Sequence, residues 1–361
     1  MVTNTATNHF PINFLQDFQK LRTTYWPEIR RQMIDVVESN TPKDSSLIVM
    51  FKKQLDSGGK RLRAILPLLV AQAFGRPPEE LIPFGAACEM LHNATLVHDD
   101  IQDQDMVRRG KPTIWAQYGV EHAIDLGDAM LYYAVLLLQK LDLPPRLREQ
   151  AMCRFMRKTL KVIDGQEREF HLGTRRNPSV EDYTRMVEGK TSALFELPLV
   201  GALEICKVSS QITQCVKDSA RQLGVLFQIQ DDILDIYGDK GRGAIGNDIR
   251  EGKRSLFVVS ALEHSSSQQG DWLLGILDKE RDDICEKEVQ DVIALFESSG
   301  AYRFVLSELR RRHDLALQIV ENAGSMIAYK LISDVCMLLL QPISFLFEEG
   351  GSRTEVAETR V

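Results

Sequence analysis

The chain has 361 residues, of which 44% are apolar, 26% charged and 7% aromatic, and 44 basic against 51 acidic side chains leave a formal net charge of −7. This composition excludes collagenous, low-complexity and disulfide-scaffold chains. The mild acidity argues against a surface that coats nucleic acid.

In chain order, residues 1–10 are polar and read as a flexible N-terminal end, with no basic stretch leading into an apolar run. Over 12–38, Phe14, Leu15, Phe18, Leu21, Tyr25, Ile29, Met33, Val36 and Val37 recur at three- and four-residue steps, the stripe of a helix that buries one face. The same periodicity predicts helices over 62–74, 79–106, 121–141, 146–172, 179–206, 211–237, 252–264, 284–298 and 301–346. Between them glycine and proline cluster at Gly58-Gly59, Gly75 to Pro78, Gly110 to Pro112, Pro144-Pro145 and Gly238 to Gly246. Strand signals are nearly absent, and several segments exceed the average helix of about 11–12 residues, so the expected fold class is an all-α bundle. The length allows two domains, but no composition break or tandem repeat divides the chain, which favours one domain over 11–349 and a flexible tail at 350–361. No apolar stretch approaches the roughly 18 residues of a membrane helix. Six scattered cysteines without a C-x-x-C pair suit a reducing compartment, and a cytoplasmic protein is expected.

The one internal echo is HDDIQD at 98–103 and QDDILD at 230–235. Asp99 and Asp103 are four residues apart, so a helix places both carboxylates on one face, about 5–6 Å apart at Cβ, where like charges repel. A single such motif is equally a solvated face. Two copies set in apolar sequence, Asp99, Asp100 and Asp103 and then Asp231, Asp232 and Asp235, point to a hard cation instead. All-oxygen clusters suit magnesium, whose shell is usually completed by water and substrate phosphates. Basic residues that could meet a phosphorylated substrate are Lys60 and Arg63 in GGKRLR, Arg108 and Arg109 in RRG, Lys190 in GKT and Lys253 in GKRS, although any one basic pair is also an ordinary surface feature. His92, alone in an apolar helix, reads as a core histidine or, two turns before Asp99 on the same face, as a ligand.

Taken together, LHNATLVHDDIQDQDMVRRGKPT (91–113), GGKRLR (58–63), GQEREF (165–170), GKTSALFELP (189–198), FQIQDDILDIYGD (227–239) and DIREGKRSL (248–256) resemble the ordered motif set of the trans-isoprenyl diphosphate synthases. The resemblance covers about 50–260, and the two residues between the aspartates of the first motif place it nearest the geranylgeranyl diphosphate synthase branch. It implies a single all-α domain around a central cavity, a homodimer, and head-to-tail condensation of isopentenyl diphosphate with a dimethylallyl, geranyl or farnesyl diphosphate. The implied product is geranylgeranyl diphosphate, with a farnesyl or longer-chain product as the alternative.

Residue by residue, the resemblance implies that Asp99, Asp103 and Asp231, with Asp100 and Asp235 in support, hold magnesium, three ions with substrate bound. Arg108, Lys190 and Lys253 would hold the allylic diphosphate, and Thr191 and Gln228 would face the developing carbocation, with Phe227 adding π density. Lys60, Arg63, His92 and Arg109 would hold isopentenyl diphosphate without metal. No side chain announces itself as a base, and the released diphosphate would take the proton; His98 reads as a spacer or as orienting Asp99. Product length would be set by Ala94 and Thr95, with Leu91, Met90, Tyr132 or Tyr133 as further walls. Two departures stand out: small side chains at 94 and 95, and Glu169 where relatives often carry Asp. Three rivals fit less well. A terpene cyclase has no use for QDDILD with GGKRLR, a non-catalytic subunit would have lost charged groups, and a carboxylate-bridged metal protein would need repeated Glu-x-x-His steps.

Overall fold

A computed structural model describes residues 14–238 and 245–346, so the flexible ends expected at 1–10 and 350–361 lie outside the described residues. The first half contains α1 (Phe14–Ser39), α2 (Ser46–Leu55), α3 (Leu62–Ala73), α4 (Ile82–Gln102), α5 (Ile114–Tyr118), α6 (Val120–Gln139) and α7 (Pro145–Gly173). It continues through α8 (Val180–Val187), a π-helical turn (Glu188–Ser192), α9 (Ala193–Ile205), α10 (Ser210–Tyr237) and α11 (Asn247–Arg250). The remainder is α12 (Leu256–His264), α13 (Ser267–Leu277), α14 (Glu286–Ser298), α15 (Ala301–Glu321) and α16 (Met326–Leu340). The all-α expectation holds: the described strands are a two-residue ladder of β1 (Val107–Arg108) with β2 (Lys111–Pro112).

Periodicity finds the long helices and misses their punctuation. The segment expected over 301–346 is broken at Gly324, which sits at φ 65°, and Ser325 restarts the chain by accepting from the Ala328 N–H. The 179–206 segment is interrupted by the π turn, and α2 and α13 were not foreseen.

The core is built on helices buried all round. From Leu62 to Ala71 every residue of α3 is buried, as is Ala193 to Leu203 of α9, so these two must be surrounded. They are: α3 packs against α4 and α9, α4 against α6, and α10 against α9 and α15. Glycine permits a close crossing of α3 and α4, since a Cβ on Gly85 of α4 would lie 2.3 Å from the Ala64 carbonyl oxygen of α3. One expectation is corrected. Met326–Ser344, 19 residues, is apolar and long enough to cross a membrane by length and composition, yet half of it is buried against neighbours that include α10 and α15. Core packing accounts for its apolar content.

Gly85→Ala is expected to force α3 and α4 apart at a cost of about 1–3 kcal/mol. Guanidinium unfolding should show a lower midpoint at unchanged slope.

Candidate active site

A cavity of about 960 Å³ opens where the two aspartate motifs end their helices. On α4, His92, Thr95, Leu96, Asp99 and Asp103 border it, one helical face at three- and four-residue steps. Asp103 is the C-cap of α4, so these carboxylates sit where the helix dipole is negative and anions are disfavoured.

Cations from distant sequence offset that cost. The Lys190 ammonium lies 2.9 Å from Asp99 and 2.5 Å from Glu169, and Lys253 lies 2.7 Å from both Asp103 and Glu251. Burial alone would raise the Asp99 carboxyl, but Lys190, Lys253 and Arg108 outweigh it and hold Asp99 well below the usual range. Burial pushes Asp103 up, offset in part by Lys253, and pushes Glu251 up to about 8. Against their own desolvation, the surrounding carboxylates raise both lysines. Arg281 donates to the Asp103 carbonyl at 2.7 Å and stands 3.5 Å from Asp105 and Glu251.

Lys190 gets there through a backbone contact. A Cβ on Gly165 would lie 2.0 Å from the Lys190 nitrogen, and one on Gly189 would lie 2.7 Å from the Gly165 Cα. Only paired glycines let α7 touch the π turn, and such turns recur at functional sites. The Glu169 side chain, one turn on from Gly165, meets Lys190 there.

The second motif is partly structural. Asp231 borders the cavity. Asp232 also borders it, but accepts from the Tyr183 hydroxyl at 2.9 Å, the Gln228 amide at 3.1 Å and the Leu256 N–H at 3.1 Å. Thr191 donates to Gln228 at 2.9 Å, so the expected pair is joined in one chain of hydrogen bonds. Asp100 and Asp235, expected in support of the metal ligands, are engaged by other protein groups. Neither borders the cavity: Asp100 accepts from Arg108 at 2.5 Å, and Asp235 accepts from the Asp248 N–H at 3.0 Å. The reason for Asp100 is angular, as one residue after Asp99 it is rotated about 100° off the cavity face.

A second, cationic half lies beside this one. Arg109 and Gly110, at φ 53° and 73°, form the tight turn of the β1–β2 hairpin, the two-residue geometry with both φ positive. The turn sends Arg108 toward Asp99, Asp100 and Asp105 and Arg109 to the Gly58 carbonyl. Gly59, at φ +118°, gives Arg109 its seat: a Cβ would lie 2.5 Å from the guanidinium. Lys60, Arg63, His92 and Arg109 all border the cavity, and among the described residues none of the three basic side chains has a carboxylate partner. Burial lowers Lys60 and Arg109 and brings Arg63 down to about 10; burial and the surrounding arginines hold His92 well below the ordinary imidazole value, and its Nδ1 has no hydrogen-bond partner. Arg61, between them in sequence, also borders the cavity but is paired there with buried Glu89 at 3.2 Å.

Of the positions expected to set product length, Thr95 borders the cavity with Leu96, Val162 and Leu194. Ala94 and Leu91 are fully buried outside it, as is Met90. Position 94 is about 140° around the helix from Asp99, whereas 95 is about 40° away. Tyr132 is 74% exposed, and Tyr133 bonds Thr41 at 2.5 Å. His98 shares the far face, against Gly127, where a Cβ would lie 2.1 Å from its Nε2.

Among the described residues no three His, Cys, Asp or Glu side chains form a ready cage for a metal. The donor set nonetheless fits magnesium. Asp99, Asp103, Glu169, Asp248 and Glu251 crowd around Lys190 and Lys253, an excess of anionic oxygen without nitrogen or sulfur donors, facing room for phosphate and water. Sequence reasoning missed Glu251, Asp248 and Arg281; Glu251 had a signal, lying two residues before Lys253 in REGK, whereas Arg281 had none.

Comparison with known proteins identifies the family and the fold. Residues 45–296 match the family described as polyprenyl synthetase. The chain is similar to a short chain isoprenyl diphosphate synthase of Methanocaldococcus jannaschii, 32% identical over 76% of this chain and 83% of that protein. It is 35% identical to a geranylgeranyl diphosphate synthase of Sulfolobus acidocaldarius over 66% of this chain and 74% of that one. The crystal structure of a geranylgeranyl pyrophosphate synthetase from Pyrococcus horikoshii superposes with a TM-score of 0.81 at 26% identity, over 91% of this chain and 99% of that one.

Adjacent basic residues with opposite surroundings are separable. Arg61→Ala strands the buried Glu89 carboxylate and should cost about 3–5 kcal/mol. Lys60→Ala should stay within about 0.5 kcal/mol of wild type in the same denaturation experiment.

Proposed function

The chain belongs to the polyprenyl synthetase family, and from that premise we propose that it is a magnesium-dependent trans-prenyltransferase. It joins isopentenyl diphosphate head to tail to an allylic diphosphate, with geranylgeranyl diphosphate as product. The observation that carries this reading is the division of cations: Lys190, Lys253 and Arg108 are paired with carboxylates, whereas Lys60, Arg63 and Arg109 are not. Such a division suits two diphosphates with opposite fates, one that must leave and one that must stay.

Magnesium, bound by Asp99, Asp103 and Asp231 as three ions with substrate present, would supply Lewis-acid neutralisation of the leaving diphosphate. Asp100 and Asp235 support it indirectly, through Arg108 and through the Asp248 backbone. Lys190, Lys253 and Arg108 hold the same diphosphate in a cavity where attraction is weakly screened. Lys60, Arg63, His92 and Arg109 hold isopentenyl diphosphate, whose ionisation is thereby left unassisted. Oxygens of Thr191 and Gln228 offer partial negative charge to the developing allylic cation, and the departing diphosphate would accept the proton then lost. The allylic tail runs past Thr95.

We read 11–349 as one domain. Met156, Leu160 and Ile163 form an exposed apolar stripe on α7, and Ile124 and Tyr132 are exposed on α6, a surface suited to a homodimer. All six cysteines are free, in keeping with a cytoplasmic setting.

Incubation with isopentenyl diphosphate and each of dimethylallyl, geranyl and farnesyl diphosphate, with magnesium or with chelator, should yield a C20 diphosphate by mass only with the metal. No elongation from any primer would sink the assignment. Asp99→Ala and Asp231→Ala should each lower kcat by about a hundredfold or more, as loss of several kcal/mol of charge stabilisation requires. Thr95→Phe should shift the product toward shorter chains. Ala94→Phe should cost stability without shortening them.

A further inference from the structure

Arg63 is buried, yet it makes no hydrogen bond or ion pair among the described residues, and its Nε has no partner. A buried guanidinium in that condition ordinarily costs several kcal/mol. Glu89 attracts Arg63 from beyond ion-pair distance, and its direct contacts among the described residues are aromatic: the guanidinium carbon stands 4.8 Å from the Phe195 ring centroid and 5.2 Å from that of Phe227, and the two rings are 5.4 Å apart. Phe227 borders the cavity, while Phe195 is fully buried behind it on α9.

We propose that the Phe195–Phe227 pair is a positioning platform that holds Arg63 by its π faces and so presents it, un-neutralised, to the diphosphate bound without metal. A carboxylate partner would hold Arg63 equally well but would cancel its charge, as Glu89 does for Arg61. A purely aliphatic wall would leave the guanidinium unsupported. An aromatic face attracts the cation and leaves its full charge for an incoming anion. Phe195 is therefore a specificity determinant of the isopentenyl diphosphate subsite, though it does not touch the substrate, and Phe227 serves the arginine rather than the carbocation. This inference rests on the functional reading above.

The test separates π electrostatics from shape. Phe195 is replaced by Leu, and in parallel by 4-fluoro-, 3,5-difluoro- and pentafluorophenylalanine, which drain the ring face while nearly keeping its volume. The KM for isopentenyl diphosphate should rise stepwise with fluorination, reaching about three- to thirty-fold in the Leu variant, while the allylic KM stays within about twofold. An unchanged isopentenyl diphosphate KM across the fluorinated series, or both KM values rising together, would overturn it. The fluorinated series decides the matter even if the Leu variant does not fold. Should the wild-type chain elongate no primer, the functional reading fails separately. Calorimetric binding of inorganic pyrophosphate in chelator then tests the platform: a stepwise loss with fluorination upholds it and a flat series refutes it.

Discussion

Everything at this site depends on holding carboxylates where they are least welcome, partly buried against a cavity at the negative end of a helix. Asp99 and Asp103 close α4, and Asp231 lies in the last two turns of α10. An exposed ion pair contributes at most about 1 kcal/mol, but a buried charge without a partner costs several. The surroundings of Asp99 and Asp103 are arranged accordingly. Asp103 meets Lys253, Lys253 meets Glu251, Glu251 faces Arg281, and Arg281 faces Asp105, which faces Arg108. This alternating circuit ties together α4, the β1–β2 hairpin, the segment after α11 and the turn after α13. The circuit itself is balanced, three carboxylates to three cations, and Asp99, Glu169 and Asp248 beside it add the further carboxylate oxygen that a site for a hard dication requires.

Glycines carry the cations to this circuit and to its neighbour. Gly165 and Gly189 let the π turn bring Lys190 against α7, and Gly59 clears the space into which Arg109 folds. In both places a methyl group would fall within 3 Å of the atoms concerned, so local geometry, more than charge alone, decides where the positive groups stand. Arg61 shows the converse, since in the same GGKRLR segment a left-handed backbone at φ 60° turns it into the core against Glu89 and Trp26.

Much of this was legible in advance where it depended on helical period. The face shared by His92, Asp99 and Asp103, the recurrence of the aspartate pattern and the all-α architecture follow from spacing alone. The same rule, applied with more care, separates Thr95 from Ala94 and Asp99 from Asp100, since each pair differs by one residue and therefore by about 100°. What spacing could not reveal was assembly. Arg281 reaches Asp103 across 178 positions, Asp235 is spent on the Asp248 backbone, and the hairpin that divides Arg108 from Arg109 needs a positive φ at an arginine. The apolar run of α16 was underestimated because buried Asp334 interrupts it.

The central claim is that one cavity holds two diphosphate subsites, one whose cations are paired with carboxylates and completed by metal, the other whose cations stand without a carboxylate in ion-pair contact. Calorimetric affinities of the wild-type protein for isopentenyl diphosphate and for a non-ionisable allylic thiodiphosphate, each with magnesium and with chelator, test it most directly. The account requires isopentenyl diphosphate binding to change by no more than about twofold on chelation, while allylic binding falls about tenfold or more. Equal losses for the two ligands would contradict it.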